Sequence, residues 1–146
     1  MIYTNNGLRP FAIASLASRR EHMQAIQRPT LDRAVVLTKA TLSAAEQLGL
    51  SNADLAAVIG VSEPTISRIK NSNRTIAPDS KEGELALLLI RVFRSLDPLI
   101  GGDEGKRKIW MNSYNKALVG QPNQLICKAD GLVRTLSYLD GMRAAS

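Results

Sequence analysis

Residues 51–71 carry the strongest structural signal in this sequence, two short apolar segments that meet at Gly60. Ser51 or Asn52 can cap the first segment, and Ser62 can cap the second, because their side-chain oxygens accept the free amides that open a helix. Glycine readily adopts the left-handed backbone of a sharp connection between helices. The pattern therefore predicts two short helices joined by a tight turn, a helix-turn-helix.

The second helix of this motif is expected to present a polar outer face. Ile66 and Ile69 are predicted to turn inward, and the second helix of such a motif enters the major groove of DNA. Arg68 is the strongest candidate because a guanidinium can bridge two acceptors of guanine or bind a phosphate. The DNA-binding residues that we predict, facing outward on this helix or following it, are Ser62, Glu63, Pro64, Thr65, Ser67, Arg68, Lys70, Asn71 and Arg74.

The charge of the chain suits a polyanionic partner, but it is not concentrated in the motif. The 146 residues carry a net charge of +6 and have a pI near 9.8. Within residues 51–80 the three basic and three acidic side chains cancel, so the excess lies in residues 1–50 and 81–146. We therefore expect flanking elements to contribute phosphate contacts.

Cysteine and histidine usage limits the chemistry that this chain can perform. Cys127 is the one cysteine, which argues against a disulfide framework, fits a reducing cytoplasm and is most simply a buried apolar residue. His22 is the one histidine, so a metal cluster or a histidine-based catalytic dyad cannot be assembled within one chain. We expect no catalytic residue, no metal, no cofactor and no enzymatic activity.

Residues 1–28 are predicted to form an arm or a short helix. Residues 11–18 are apolar, as in the core of a secretory signal, but they are few and no cationic start precedes them. No segment approaches the 18 apolar residues of a membrane span. We expect a cytoplasmic protein without a membrane partner.

Apolar residues recur every three or four positions through most of the remaining sequence, which predicts helices. One helix should run from Thr30 to Gly49, and another should follow a cap at Asp79–Ser80 and end at Asp97–Pro98. A third should have Trp110, Tyr114, Ala117 and Leu118 on its inner face, and the last should run from near Asn123 to Asp140.

No segment alternates with the period of a strand, so the predicted fold is all-α. We assign residues 29–78 to a helix-turn-helix DNA-binding region and residues 79–146 to a C-terminal helical domain.

The C-terminal half resembles a known family. Trp110 is followed by Asn115-Lys-Ala-Leu-Val-Gly-Gln-Pro122 and then by a Gly131-Leu-Val133 helix, all behind the helix-turn-helix. In this arrangement the chain resembles the Xre/MbcA/ParS antitoxins over residues 30–143. Met111 stands where that family usually has leucine, and residues 1–28 have no counterpart there.

The resemblance implies the antitoxin of a type II RES-Xre toxin–antitoxin system. Such a protein binds a RES-domain toxin that degrades NAD or uses it to modify a target, and it represses its own operon. A homodimer is expected independently, because one recognition helix covers too few base pairs to be specific. The toxin-binding residues that we predict, at the end of the last helix and in a tail that would cover the NAD entrance, are Arg134, Tyr138, Asp140, Arg143 and Ser146.

Four features of the C-terminal half also have simpler structural roles. Trp110 is predicted to be core, and Asn115 to hydrogen-bond the turn at Gly120. Gly131 indicates close backbone approach, to a sister helix or to the toxin, because glycine weakens a helix. The Lys106–Lys108 run is predicted to be a solvated face.

Two other functional classes remain open. A stand-alone transcription factor would show, in its C-terminal bundle, a sizeable apolar pocket lined by polar groups that senses a small molecule. A nucleoid-type DNA-binding protein would show little sequence preference and a steep dependence on salt.

Overall fold

A computed structural model describes residues 31–146 of the chain, and helices account for most of this part. The predicted arm over residues 1–28 and His22 lie outside the described residues. Residues 31–146 contain no β-strand, so the all-α prediction is confirmed there. The elements are α1 (Arg33–Leu48), α2 (Asn52–Ile59), α3 (Glu63–Lys70), α4 (Lys81–Leu96), a 3₁₀ turn (Asp97–Ile100), α5 (Glu104–Asn112), α6 (Pro122–Leu125) and α7 (Ala129–Ala144).

Helix α4 is the centre of the packing. It lies against α1, α2 and α7, and its inward residues Ala86, Leu89 and Val92 are fully buried. The same apolar core receives side chains from the helix-turn-helix and from the C-terminal helices, such as Ile66 and Leu132. Residues 32–146 are therefore one compact unit in which both predicted regions share a core.

The prediction of one helix through residues 110–118 is wrong beyond residue 112. That helix was expected to have Trp110, Tyr114, Ala117 and Leu118 on its inner face. Helix α5 ends at Asn112, and Tyr114 is 63% exposed. The side chain of Asn115 accepts the backbone N–H groups of Ala117 and Leu118 at 2.9 and 3.1 Å, which satisfies them outside a helix. The backbones of Asn115 and Gly120 also pair, at 2.9 and 3.2 Å, so the predicted hydrogen bond of Asn115 to this turn is confirmed.

The prediction of a single last helix from Asn123 to Asp140 is also wrong, because two helices, α6 and α7, occupy this segment. At Gly131 a Cβ atom would lie 2.0 Å from the carbonyl oxygen of Leu125. The predicted close approach is thus confirmed, and its partner is the backbone of α6 rather than a second molecule. Helix α7 then continues past Asp140 to Ala144, so the segment expected to be a tail is mostly helical.

Arg107 departs from the predicted solvated face of residues 106–108, because only 3% of it is exposed. Its guanidinium forms a salt bridge with Asp97 and donates to the backbone oxygen of Gln47 at 3.2 Å. The same group lies 5.2 Å from the centroid of the Phe93 ring. Arg107 therefore joins α5 to α1, to α4 and to the 3₁₀ turn.

Candidate nucleic-acid interface

Two capped helices form the helix-turn-helix. At α2, Ser51 and Asp54 cap each other's backbone amides at 3.1 and 3.0 Å, so Ser51 rather than Asn52 is the cap. Gly60 has a φ of 73°, in the left-handed region, as its role in the turn predicts. Ser62 caps α3 by accepting the amide of Thr65 at 3.4 Å. The tight turn and both caps are confirmed.

The outward face of α3, defined by Glu63, Pro64, Ser67, Arg68 and Asn71, is exposed at every position. At 3.6 residues per turn these five positions lie on the side opposite the buried apolar residues of the helix. The predicted inward orientation of the two isoleucines is confirmed, since Ile66 is 0% and Ile69 2% exposed. A continuous polar surface one helix long is thus available to the major groove.

Thr65 does not belong to this face, and the prediction that it points outward is wrong. Only 8% of it is exposed, and its hydroxyl lies 2.9 Å from the hydroxyl of Ser62. Thr65 precedes Ile69 by four positions, which places both on the inner side of the helix. Its hydroxyl therefore supports the capping serine instead of reaching a base.

Two of the cationic side chains predicted to bind DNA interact instead with other residues of the protein. Lys70 lies at the edge of α3, and its ammonium group donates a hydrogen bond to the side-chain oxygen of Asn52. Arg74 forms a salt bridge with Glu82, with nitrogen-to-oxygen distances of 2.8 and 2.9 Å. By contrast, Arg68 has no salt bridge within residues 31–146, so its charge is available to a partner.

A cleft of about 530 Å³ lies beside Lys70. Its lining comes from α1, from α2, from the connection between them and from the end of α3, and consists of Leu42, Ala45, Glu46, Gly49, Leu50, Ser51, Asn52, Leu55 and Lys70. This cleft is part of the helix-turn-helix half. It is not the pocket in the C-terminal bundle that a ligand-sensing transcription factor was expected to show.

The predicted toxin-binding residues divide into exposed and internally bonded side chains. Arg134 is exposed, whereas Tyr138 is half-buried and packs against the core. The carboxylate of Asp140 accepts hydrogen bonds from Ser95 at 2.7 Å and from Arg91 at 3.3 Å, and Arg143 donates to the Ser95 hydroxyl at 3.4 Å. Finally, the hydroxyl of Ser146 donates to the backbone oxygen of Met142 at 2.8 Å. Asp140 and Arg143 thus fasten α7 to α4.

Three further properties of residues 31–146 concern metal binding, thiol reactivity and membrane spanning. Among residues 31–146 no group of three histidine, cysteine or acidic side chains is placed to hold a metal ion. Burial raises the pKa of the Cys127 thiol, which keeps it protonated and weakly nucleophilic. None of the helices in this part of the chain has the length and apolar character needed to cross a membrane.

Comparison with known families agrees with this geometry. Residues 27–91 match the model of the antitoxin Xre-like helix-turn-helix domain. The chain carries an antitoxin Xre-like helix-turn-helix domain. A search of curated proteins finds no match.

The Xre-like domain contains every residue that we predicted to bind DNA. It covers α1 to α3 and extends into α4 as far as Arg91. This match supports a DNA-binding protein that is the antitoxin of a toxin–antitoxin pair. The match does not extend over residues 92–146.

Proposed function

We propose that this protein is the antitoxin of a type II RES-Xre pair. In this proposal it binds a RES-domain toxin, blocks the toxin's NAD-binding cleft and represses its own operon in the cytoplasm. The observation that carries the proposal is the exposed outward face of α3 within the Xre-like domain. The RES assignment is supported by the family resemblance of the C-terminal half.

The DNA-binding role falls on the outward face of α3, with its neighbours as supports. Ser62 and Thr65 hold the start of the helix, and Lys70 and Arg74 connect its end to α2 and α4. The eight residues of α3 span about 12 Å, which is only a few base pairs. A homodimer that reads two half-sites about 34 Å apart would supply the missing specificity.

The toxin-binding role falls on the exposed side of α7. Val133 is a large apolar residue with 49% exposure, and the exposed Arg134 lies beside it. Asp140 and Arg143 hold the helix against α4, so the surface they support is rigid before binding. A helix can block a cleft by occupying it, without performing any chemistry. Because this helix is already ordered, little conformational entropy is lost when it binds.

This function is tested by co-expressing the chain with the RES-domain toxin that the proposal pairs with it. Intracellular NAD and cell survival are measured, and the wild-type protein is expected to restore both. Arg134→Glu should lose protection, because it reverses a charge on the proposed surface. Arg94→Glu is the matched control, since Arg94 is exposed on α4 and should be tolerated.

The two roles should separate genetically. Arg68→Ala is expected to lose operator binding and to keep protecting cells from the toxin. Loss of protection at a normal antitoxin level would show that the two surfaces overlap. Failure of the wild-type protein to preserve NAD would contradict the RES assignment itself.

A further inference from the structure

The outward face of α3 contains an acidic residue in a position where DNA binding would disfavour one. Glu63 is the first residue of α3 and is exposed. In the part of the chain that the structure describes, its carboxylate has no salt bridge and no side-chain hydrogen bond. A negative charge that approaches the phosphates is repelled, so it lowers affinity unless it gains a specific partner.

The position of Glu63 in the helix makes a DNA base the most suitable partner for its carboxylate. The N-terminal residues of a recognition helix are the ones that reach base edges in the major groove. Glu63 lies in the first turn, and Ser67 is its neighbour on the same side one turn later. Arg68 is about 140° away around the helix, so it is on the other edge of the face and does not pair with Glu63.

Only two bases offer a hydrogen-bond donor in the major groove, cytosine through N4 and adenine through N6. Guanine and thymine present acceptors there, which a carboxylate cannot use. Adenine places its N7 acceptor beside the N6 donor, and this pair matches an amide but repels the second oxygen of a carboxylate. Cytosine therefore fits an unpaired carboxylate best.

We infer that Glu63 is a specificity-determining residue that selects cytosine at one position of each half-site by accepting a hydrogen bond from its N4 amino group. This inference rests on the proposed DNA-binding function. The repulsion between the carboxylate and the phosphates then becomes an advantage, because it weakens binding to every site that lacks the amino group.

A structural role for Glu63 is the competing explanation. An acidic residue in the first turn interacts favourably with the positive end of the helix dipole. That role predicts a change in melting temperature on substitution and no change in base preference. Base preference therefore separates the two explanations.

The test is selection of DNA from a randomised duplex pool by the full chain, followed by competition binding with single-base-pair variants at one fixed salt concentration. The wild-type protein should prefer cytosine over the other bases by about five- to a hundredfold at one position per half-site. Glu63→Gln should move that preference to adenine, and Glu63→Ala should abolish it. Glu46→Gln, the same change at an exposed position of α1, should leave the preference unchanged.

The outcomes distinguish failure of the inference from failure of the proposed function. An enriched sequence with the same base preference in the wild type and in Glu63→Gln would overturn the role of Glu63 while DNA binding stands. A pool from which the wild type enriches nothing would overturn sequence-specific binding, and with it this assignment.

Discussion

The helix-turn-helix and the C-terminal segment from α5 to α7 are held in shape by contacts of different range. In the first, the caps Ser51 and Ser62 and the turn at Gly60 act within four residues along the chain. In the second, Arg107 bonds to Gln47, 60 positions away, and Asp140 bonds to Ser95, 45 positions away. Local contacts make one region recognisable in the sequence, and distant contacts determine the other.

The largest effect is expected where two backbones touch in the C-terminal segment. Gly131→Ala places a methyl group against the backbone of Leu125, which cannot move without displacing α6. We expect the free energy of unfolding to fall by about 3 kcal/mol, as in severe overpacking. Denaturant titration followed by circular dichroism measures this change.

Gly141→Ala is the matched control on the same helix. Nothing lies within 4 Å of a Cβ at this position, so the substitution should stabilise the protein by about 0.5 to 1 kcal/mol. Equal effects of the two variants would show that the contact between α6 and α7 does not limit the fold.

A smaller effect is expected from the ion pair that joins the C-terminal segment to the rest. Asp97→Asn keeps the shape of the side chain but leaves the charge of Arg107 buried without its partner. Because 37% of the Asp97 side chain is exposed, we expect a loss of about 2 kcal/mol, below that of a fully buried pair. Thermal melting of the variant provides the measurement.

The control for Asp97→Asn is Glu84→Gln, which removes an exposed pair with Lys81. Such pairs contribute little, so its melting temperature should match that of the wild type. A larger loss in Glu84→Gln than in Asp97→Asn would contradict the structural role given to Arg107.

The smallest of these stability effects is expected in the helix-turn-helix. Ser62→Ala removes the cap of α3 and the partner of the Thr65 hydroxyl, which should cost about 1 kcal/mol. Ser67→Ala, at an exposed position of the same helix, should change stability by less. Hydrogen exchange of the α3 amides reports the effect locally, and unchanged protection in Ser62→Ala would refute the capping role.

The sequence was sufficient for the helix-turn-helix because each decisive residue acts on its near neighbours. The same local signals mark helices and their ends in any protein. Here they are a serine cap, a left-handed glycine and an apolar residue every three or four positions. The error at Thr65 arose inside this region because its polar side chain was read as exposed, although its spacing of four residues from Ile69 places it on the buried side of the helix. There its hydroxyl lies 2.9 Å from the hydroxyl of Ser62.

The C-terminal segment was predicted less well because its form depends on partners far along the chain. Nothing in the Lys106–Lys108 run indicates that its middle residue meets Asp97 and Phe93. The apolar pattern continued through residues 113–121, whereas the side chain of Asn115 satisfies that backbone as a loop. Gly131 was the one local signal here, and it indicated the close contact without identifying α6.

The central claim is that the outward face of α3 binds DNA, and the affinity of Arg68→Ala for the DNA upstream of its own gene tests it most directly. Fluorescence anisotropy at one fixed salt concentration compares this variant with the wild type and with Arg94→Ala, an exposed arginine outside α3. We predict that Arg68→Ala binds about ten- to a hundredfold more weakly, whereas Arg94→Ala stays close to the wild type. Undiminished affinity in Arg68→Ala, or an equal loss in both variants, would contradict the claim.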